Sequence, residues 1–123
     1  MPPEAPSMLA HNVYFSLHDR SPEAIRHLLD ACRTHLANRP GVTFFACGEL
    51  ASECSRPVND RDFDVSLHLI FKTVDDHDRY QNQDPEHQKF IAACRDNWAK
   101  VRVFDSVVSG ADAALSGRFA KQA

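Results

Sequence analysis

The sequence predicts an α+β fold, in which a four-stranded antiparallel sheet has helices on one face. Apolar residues alternate with other residues over 9–17 and again over 63–71, and this period of two is typical of strands. Between these segments, apolar residues recur every three or four positions over 25–36, which indicates an amphipathic helix. The predicted elements follow the order β-α-β-β-α-β along the chain, with the second helix interrupted.

Composition places the chain among single-domain globular proteins. It has 123 residues, of which 43% are hydrophobic and 25% are charged, and this is enough for one core. The net charge is −3 and the 14 Lys and Arg residues are scattered, so we expect no nucleic-acid partner. The longest apolar run, around Leu67–Phe71, is far too short to span a membrane.

Three regions divide the chain. Residues 1–8 form a Pro-rich polar leader, residues 9–108 the folded domain, and residues 109–123 a tail of small residues that can form a short helix around 111–119. The leader has neither the basic nor the apolar segment of a signal peptide, so we expect a cytoplasmic protein. The four cysteines are widely spaced and are expected to be reduced thiols; they are Cys32, Cys47, Cys54 and Cys94.

The first helix has clear start and stop signals. Ser21 caps its first turn, Pro22 suits the first helical position, and Glu23 favours the positive end of the helix dipole. The Asn-Arg-Pro-Gly segment at 38–41 ends it, because Pro and Gly disfavour a helix interior. A second strand is then predicted over Val42–Glu49.

The second half of the domain carries a further set of strand and helix signals. A polar loop over 51–61 leads to the third strand, Phe63–Phe71. Thr73 caps the next helix, and Asp84-Pro85 interrupts and restarts it. The last strand is predicted over Val101–Val108. This order is that of a ferredoxin-like unit, whose helices cover one face of the sheet and leave the other bare.

The two faces of the predicted sheet differ in their side chains. One is almost purely apolar and is expected to face the helices; it carries Val13, Phe15, Leu17, Val65, Leu67, Leu69 and Val103. The bare face mixes aromatic and polar side chains; besides Val42 it carries Asn12, Tyr14, Phe44, His68, Ile70, Arg102 and Phe104. Since contiguous exposed apolar patches usually mark interfaces, we expect these seven residues to form a homodimer interface. The alternative is that the rings stay exposed singly.

The sequence predicts no metal site and no cofactor. Its seven histidines form no H-x-x-x-H or H-E-x-x-H motif and no cluster with cysteine. A Gly-rich phosphate loop and a G-x-S-x-G motif are also missing from the sequence.

Several segments resemble the stress-responsive A/B barrel (Dabb) family. They are residues 11–15 in the first strand, Gly41-Val42, residues 63–67 in the third strand, residues 80–90 around the helix break, and residues 101–105 in the last strand. Together they span about residues 9–108. The resemblance implies two four-stranded sheets packed face to face as a dimeric α+β barrel, with the helices outside.

The resemblance also implies a ligand pocket between the sheet and the helices. In plant polyketide cyclases that resemble the chain, a Tyr and a His at the positions of Tyr80 and His87 act as an acid/base pair, and a His matching His11 lines the same cleft. The chain departs from them in having an extra residue after Tyr80, Asp84 before the Pro, and Val65 in place of a third His. The pocket lining expected here is Val13, Phe15, Phe45, Leu67, Leu69, Phe90 and Trp98.

Two functions are open at this point. One is a homodimeric stress-response protein that has a structural role or binds a small molecule. The other is a cofactor-free acid/base enzyme, a cyclase, lyase or monooxygenase-like catalyst that uses His87 with Tyr80 or His11. A buried histidine can also be purely structural, held by hydrogen bonds that join helix and strand.

Overall fold

A computed structural model of the chain describes residues 7–109. The elements are β1 (Met8–Leu17), α1 (Pro22–Leu36), β2 (Val42–Glu49), β3 (Val65–Phe71), α2 (Val74–Gln83), α3 (Pro85–Cys94) and β4 (Trp98–Val108), with a 3-10 turn over Arg95–Asn97 before β4. The predicted order with its interrupted second helix is confirmed. The tail helix expected around 111–119 and most of the leader lie outside the described residues.

The four strands form one antiparallel sheet in the order β2-β3-β1-β4. β1 and β3 are therefore the central strands, and β2 and β4 are the edges. The helices pack on one face, so the fold is ferredoxin-like as predicted. None of the helices in residues 7–109 is long and apolar enough to cross a membrane.

Side-chain caps start α1 and α2 at the predicted residues. Ser21 Oγ accepts a hydrogen bond from the backbone N–H of Ala24 at 3.2 Å. Thr73 Oγ1 accepts from the backbone N–H of Asp76 at 3.0 Å. Each cap satisfies an amide that the first turn of a helix leaves unpaired.

Asp84 separates α2 from α3. Its Oδ1 accepts hydrogen bonds from the backbone N–H groups of Glu86 at 2.8 Å and His87 at 3.3 Å, so it caps α3. The following Pro85 occupies the first position of α3, where its missing N–H costs nothing. This change of direction fixes how His87 on α3 lies relative to Tyr80 on α2.

The core lies between the sheet and the helices. Six of the seven residues expected on the helix side are buried: Val13, Phe15, Leu17, Val65, Leu67 and Leu69. Val103, the seventh, is half-exposed, because it lies on the edge strand β4, which the helices cover less completely. All four cysteines lie within the described residues and are free thiols.

Three strand details differ from the prediction. β3 begins at Val65 instead of Phe63, and β4 begins at Trp98 instead of Val101. The earlier start of β4 follows from pairing with β1, which shifts register after Ser16 and continues to the Trp98–Leu17 pair. The register of β2 also shifts between Val42 and Phe44, so Val42 packs against the core and not on the bare face.

Candidate functional site

A cavity of about 150 Å³ lies between the sheet and the interrupted helix pair. Five of the seven residues expected to line a pocket border it: Val13, Phe15, Leu67, Phe90 and Trp98. Phe45 and Leu69 do not border it; they are paired across β2 and β3, where Leu69 is fully buried and Phe45 packs on the core. The sequence analysis missed Gln81, Ile91, Val101 and Val103, which also border the cavity.

His11, Tyr80 and His87 all border this cavity, each from a different element. The rings of Tyr80 and His87 lie side by side, with centroids 4.2 Å apart and an angle of 32° between their planes. His11 on β1 meets Tyr80 edge-on, at a centroid distance of 6.0 Å. The three residues named as acid/base candidates are therefore neighbours in space.

Burial changes the pKa of both members of the Tyr80–His87 pair. It lowers the pKa of His87, and the nearby His11 lowers it further. Burial also raises the pKa of the Tyr80 phenol above its ordinary value. Near neutral pH the pair therefore presents a neutral imidazole, able to accept a proton, and a protonated phenol, able to donate one.

His11 has its own polar surroundings. Its Nδ1 lies 2.5 Å from Oδ1 of Asp105, and its Nε2 lies 3.4 Å from the side-chain nitrogen of Gln81. The other oxygen of Asp105, Oδ2, lies 3.8 Å from the Nε2 atom of His77. Burial lowers the pKa of His11 and outweighs the hydrogen bond and charge of Asp105, which raise it. His11 thus links β1 to β4 through Asp105 and also lines the cavity.

The sequence analysis missed Asp105 and His77. Asp105 lies directly opposite His11 in the β1–β4 register, although 94 positions separate them in the sequence. A register between strands that are distant in sequence depends on tertiary packing, so no local pattern signals this contact. His77 reaches the same point from α2, where its ring packs 5.1 Å from that of His11.

Two residues that border the cavity each carry a ring nitrogen without a hydrogen-bond partner. Within residues 7–109, Nδ1 of His87 and Nε1 of Trp98 are buried and have no hydrogen-bond partner. A buried polar atom without a partner costs free energy, about 1–3 kcal/mol. An occupant of the cavity that offered a polar group to these atoms would recover that free energy.

The bare face of the sheet is built around Tyr14. Its ring packs edge-on against Phe63 and Phe104, at centroid distances of 4.9 and 5.7 Å. Phe44 and Phe104 are 52% and 53% exposed. Asn12, His68, Ile70 and Arg102, the other residues expected at an interface, are partly buried on the same face.

Several polar side chains on this face are paired within the chain. His68 Nδ1 lies 2.8 Å from Asn12 Oδ1, and its Nε2 lies 3.0 Å from Ser66 Oγ. Arg102 donates to both carboxylate oxygens of Asp60, at 2.7 and 3.2 Å. Asn12, Asp60 and Arg102 line an open hollow of about 360 Å³ beside Tyr14 and Phe104.

The sequence profile of the stress responsive A/B barrel domain (Dabb) matches residues 9–108. The chain belongs to the Dabb family. No curated protein matches the sequence.

Solved structures with the same fold cover nearly the whole chain. A Dabb family protein from Mesorhizobium loti has a TM-score of 0.68 at 23% identity, over 85% of this chain and 99% of that one. A dimeric ferredoxin-like protein of unknown function from Thermobifida fusca has a TM-score of 0.68 at 16% identity, over 88% and 97% of the two chains. The hydroxynitrile lyase of Passiflora edulis has a TM-score of 0.67 at 16% identity, over 87% and 98%. At such identities the likeness establishes the fold, which can host unrelated functions.

Proposed function

We propose that this Dabb protein is a homodimer that binds a small, mainly apolar molecule with one polar end in the cavity between sheet and helices. The observation that carries this proposal is that two residues bordering one cavity, His87 and Trp98, each hold a buried ring nitrogen without a hydrogen-bond partner. Apolar walls with a few convergent polar groups are the usual composition of a ligand site.

The size of the cavity limits the ligand. Drug-sized ligands occupy pockets of roughly 300–1,000 Å³, whereas this cavity measures about 150 Å³. An apolar cavity of roughly 150 Å³ holds a molecule of the size of benzene. The enclosed part of the proposed ligand is therefore a single ring or a short chain, and a larger ligand would extend past Val101 and Val103, which border the cavity and are 40% and 49% exposed.

The Tyr80–His87 contact favours a second function on the same site, cofactor-free acid/base catalysis. A neutral His87 would accept a proton from an acidic C–H, while Tyr80 would donate to the oxygen on which charge develops. His11 would serve as the second base at the cavity wall. The Passiflora hydroxynitrile lyase has the same fold, so this alternative is consistent with the scaffold.

The exposed rings on the bare face support the dimer. Burying them at about 25 cal/mol per Å² of apolar area favours association, and a second copy offers the same surface in return. The Thermobifida relative of the same fold is dimeric. Four free thiols fit a reducing compartment, which supports a cytoplasmic location.

A thermal-melt comparison of benzene with phenol tests the ligand site. We expect both to stabilise the native protein, and phenol to do so more, because its hydroxyl can pair with His87. In His87→Ala the advantage of phenol over benzene should disappear, while His27→Ala, which changes an exposed histidine on α1, should keep it. Equal shifts by phenol in the native protein and in His87→Ala would remove His87 from the site.

Proton exchange separates binding from catalysis. Cyclohexanone fits the size limit and has acidic C–H groups beside its carbonyl. If Tyr80 and His87 act as acid and base, the protein in D2O should accelerate deuterium incorporation at these positions, measured by NMR, and His87→Ala should abolish the acceleration. Binding of cyclohexanone without acceleration would leave the ligand-binding function and exclude the catalytic one for ketones of this class.

A further inference from the structure

Three side chains with metal-ligating atoms converge beside the cavity. They are His11 on β1, His77 on α2 and Asp105 on β4, and their ligating atoms all lie within 4.8 Å of one another. Asp105 lies close to both imidazoles, 2.5 Å from His11 Nδ1 and 3.8 Å from His77 Nε2. This convergence comes from two strands and a helix, so it depends on the folded chain.

We propose that His11, His77 and Asp105 bind a divalent transition-metal ion, with Zn²⁺ as the best match. Two imidazoles and one carboxylate suit zinc and the metals next to it, whereas Mg²⁺ and Ca²⁺ prefer oxygen ligands alone. Three protein ligands leave the fourth position of a tetrahedral ion open to water or to another small ligand. That position would face the solvent beside Asp105, whose side chain is 38% exposed, while His11 is 3% exposed.

The distances allow the ion after small adjustments. Bonds of about 2.0–2.2 Å to tetrahedral zinc place ligand atoms roughly 3.3–3.5 Å apart. The 2.5 Å contact of His11 with Asp105 must lengthen and the 3.8 Å contact of His77 must shorten slightly. Rotation of the Asp105 carboxylate, the most exposed member of the cluster, adjusts its own two distances. Any approach of the two imidazoles, whose ligating atoms lie within 4.8 Å of each other, requires their side chains to move as well.

The outer contacts of both imidazoles fit metal ligands. The Nδ1 atom of His77 lies 3.2 Å from Oδ1 of Asp78, and its Nε2 is buried without a hydrogen-bond partner in the described residues. A histidine that binds metal through one nitrogen commonly donates from the other to a carboxylate. On His11, the nitrogen that would not bind metal faces the Gln81 amide, whose oxygen can accept from it after the amide turns over.

This site adjoins the proposed ligand cavity, but its proposal does not depend on the cavity being a ligand site. The two share His11, but metal would bind Nδ1, whereas Nε2 faces Gln81. Binding of the ion would therefore displace the proton from Nδ1, where it faces Asp105. The neutral imidazole would then carry its proton on Nε2. His11 would then face Gln81 as a donor instead of an acceptor.

Titration of the chelator-treated full chain with ZnCl2, followed by calorimetry, tests the site. A Cys54→Ser background removes the exposed thiol as a competing ligand. We expect one ion per chain, and we expect His77→Gln and Asp105→Asn each to weaken binding at least tenfold. His27→Gln is the matched control, since this exposed histidine on α1 lies outside the cluster and should leave the affinity unchanged.

CoCl2 provides a second, spectroscopic readout. Cobalt bound by two imidazoles and a carboxylate should show ligand-field absorption without thiolate charge-transfer bands, and His77→Gln should remove that absorption. Circular dichroism of each variant confirms that the fold persists. The proposal is overturned if the parent chain binds no zinc, or if His77→Gln and Asp105→Asn bind it as tightly as the parent.

Discussion

Asp84 and Arg39 form an ion pair, with Arg39 Nε 2.8 Å from Asp84 Oδ2, that ties the turn after α1 to the break between α2 and α3. The other oxygen of Asp84 caps α3 at Glu86 and His87. Burial raises the pKa of Asp84, but the hydrogen bonds from Arg39 and the two amides outweigh it and hold the pKa below its ordinary value. One carboxylate therefore fixes the helix end that carries His87.

Replacing Asp84 should destabilise the fold. Asp84→Ala removes a cap and leaves Arg39 without its partner, so the free energy of unfolding should fall by about 2 kcal/mol or more. Asp84→Asn keeps an accepting oxygen and should lose less. Urea unfolding measures both, with Asp30→Ala as the control, because its contact with Arg33 is an exposed pair worth at most about 0.5 kcal/mol. An equal loss in Asp84→Ala and Asp30→Ala would contradict the role of Asp84.

Gly41 is required by its backbone geometry. Its φ is +83°, and an added Cβ would lie 2.4 Å from Cβ of Asp76. Gly41→Ala should therefore destabilise the protein by more than about 1 kcal/mol, the cost of the left-handed conformation alone. Gly48→Ala is the matched control, because a Cβ there meets no atom within 4 Å. Urea unfolding should leave Gly48→Ala within about 0.5 kcal/mol of the parent, and a similar loss in both variants would refute the argument.

Stability should fall when the solution is acidified through pH 6.5. Burial lowers the pKa of His11, His68 and His87 in the fold from the ordinary value of 6.5. The unfolded chain then binds more protons than the native one below pH 6.5, so the native state loses stability as the pH falls from 6.5 toward the lowered values. Above pH 6.5 this contribution is complete and constant.

Urea unfolding at pH 7.5, 6.5, 5.5 and 5.0 measures this dependence. His87→Gln should show a shallower loss between pH 6.5 and 5.0, because one of the three imidazoles with a lowered pKa no longer titrates. His27→Gln should keep the full slope. The explanation is wrong if stability is flat or rises on acidification over this interval.

The sequence predicted those parts of the fold that local patterns determine. Alternation in β1 assigned Val13 and Phe15 to the helix side, and the Ser21 and Asp84 caps placed the starts of two helices, as the structure has them. Period and capping are properties of neighbouring residues, so a single sequence carries them.

Contacts between distant segments were less accessible from the sequence. The register shift in β2 moved Val42 to the core, and pairing with β1 extended β4 back to Trp98. The same β1–β4 register places Asp105 against His11, and α2 adds His77 to them. These relationships depend on how strands align after folding, so the acid/base candidates were predicted and the cluster of two histidines and a carboxylate was not.

A charge at Phe104 should separate the proposed dimer. The Phe104 ring is 53% exposed in the single chain. It packs edge-on against Tyr14, which lies on the central strand β1. Phe104→Asp would require a carboxylate to be desolvated between two sheets, which costs several kcal/mol and should raise the dimer Kd by roughly a hundredfold or more. Val58→Asp is the matched control, because Val58 is 82% exposed in the loop between β2 and β3.

Sedimentation at micromolar concentration measures the outcome. The native protein and Val58→Asp should sediment as dimers, and Phe104→Asp as a monomer with an unchanged circular dichroism spectrum. A native protein that sediments as a monomer would show that the exposed rings are tolerated in water. Equal dissociation of Val58→Asp and Phe104→Asp would mean that added negative charge, and not the position of Phe104 on the bare face, separates the copies, because the net charge of the chain is already −3.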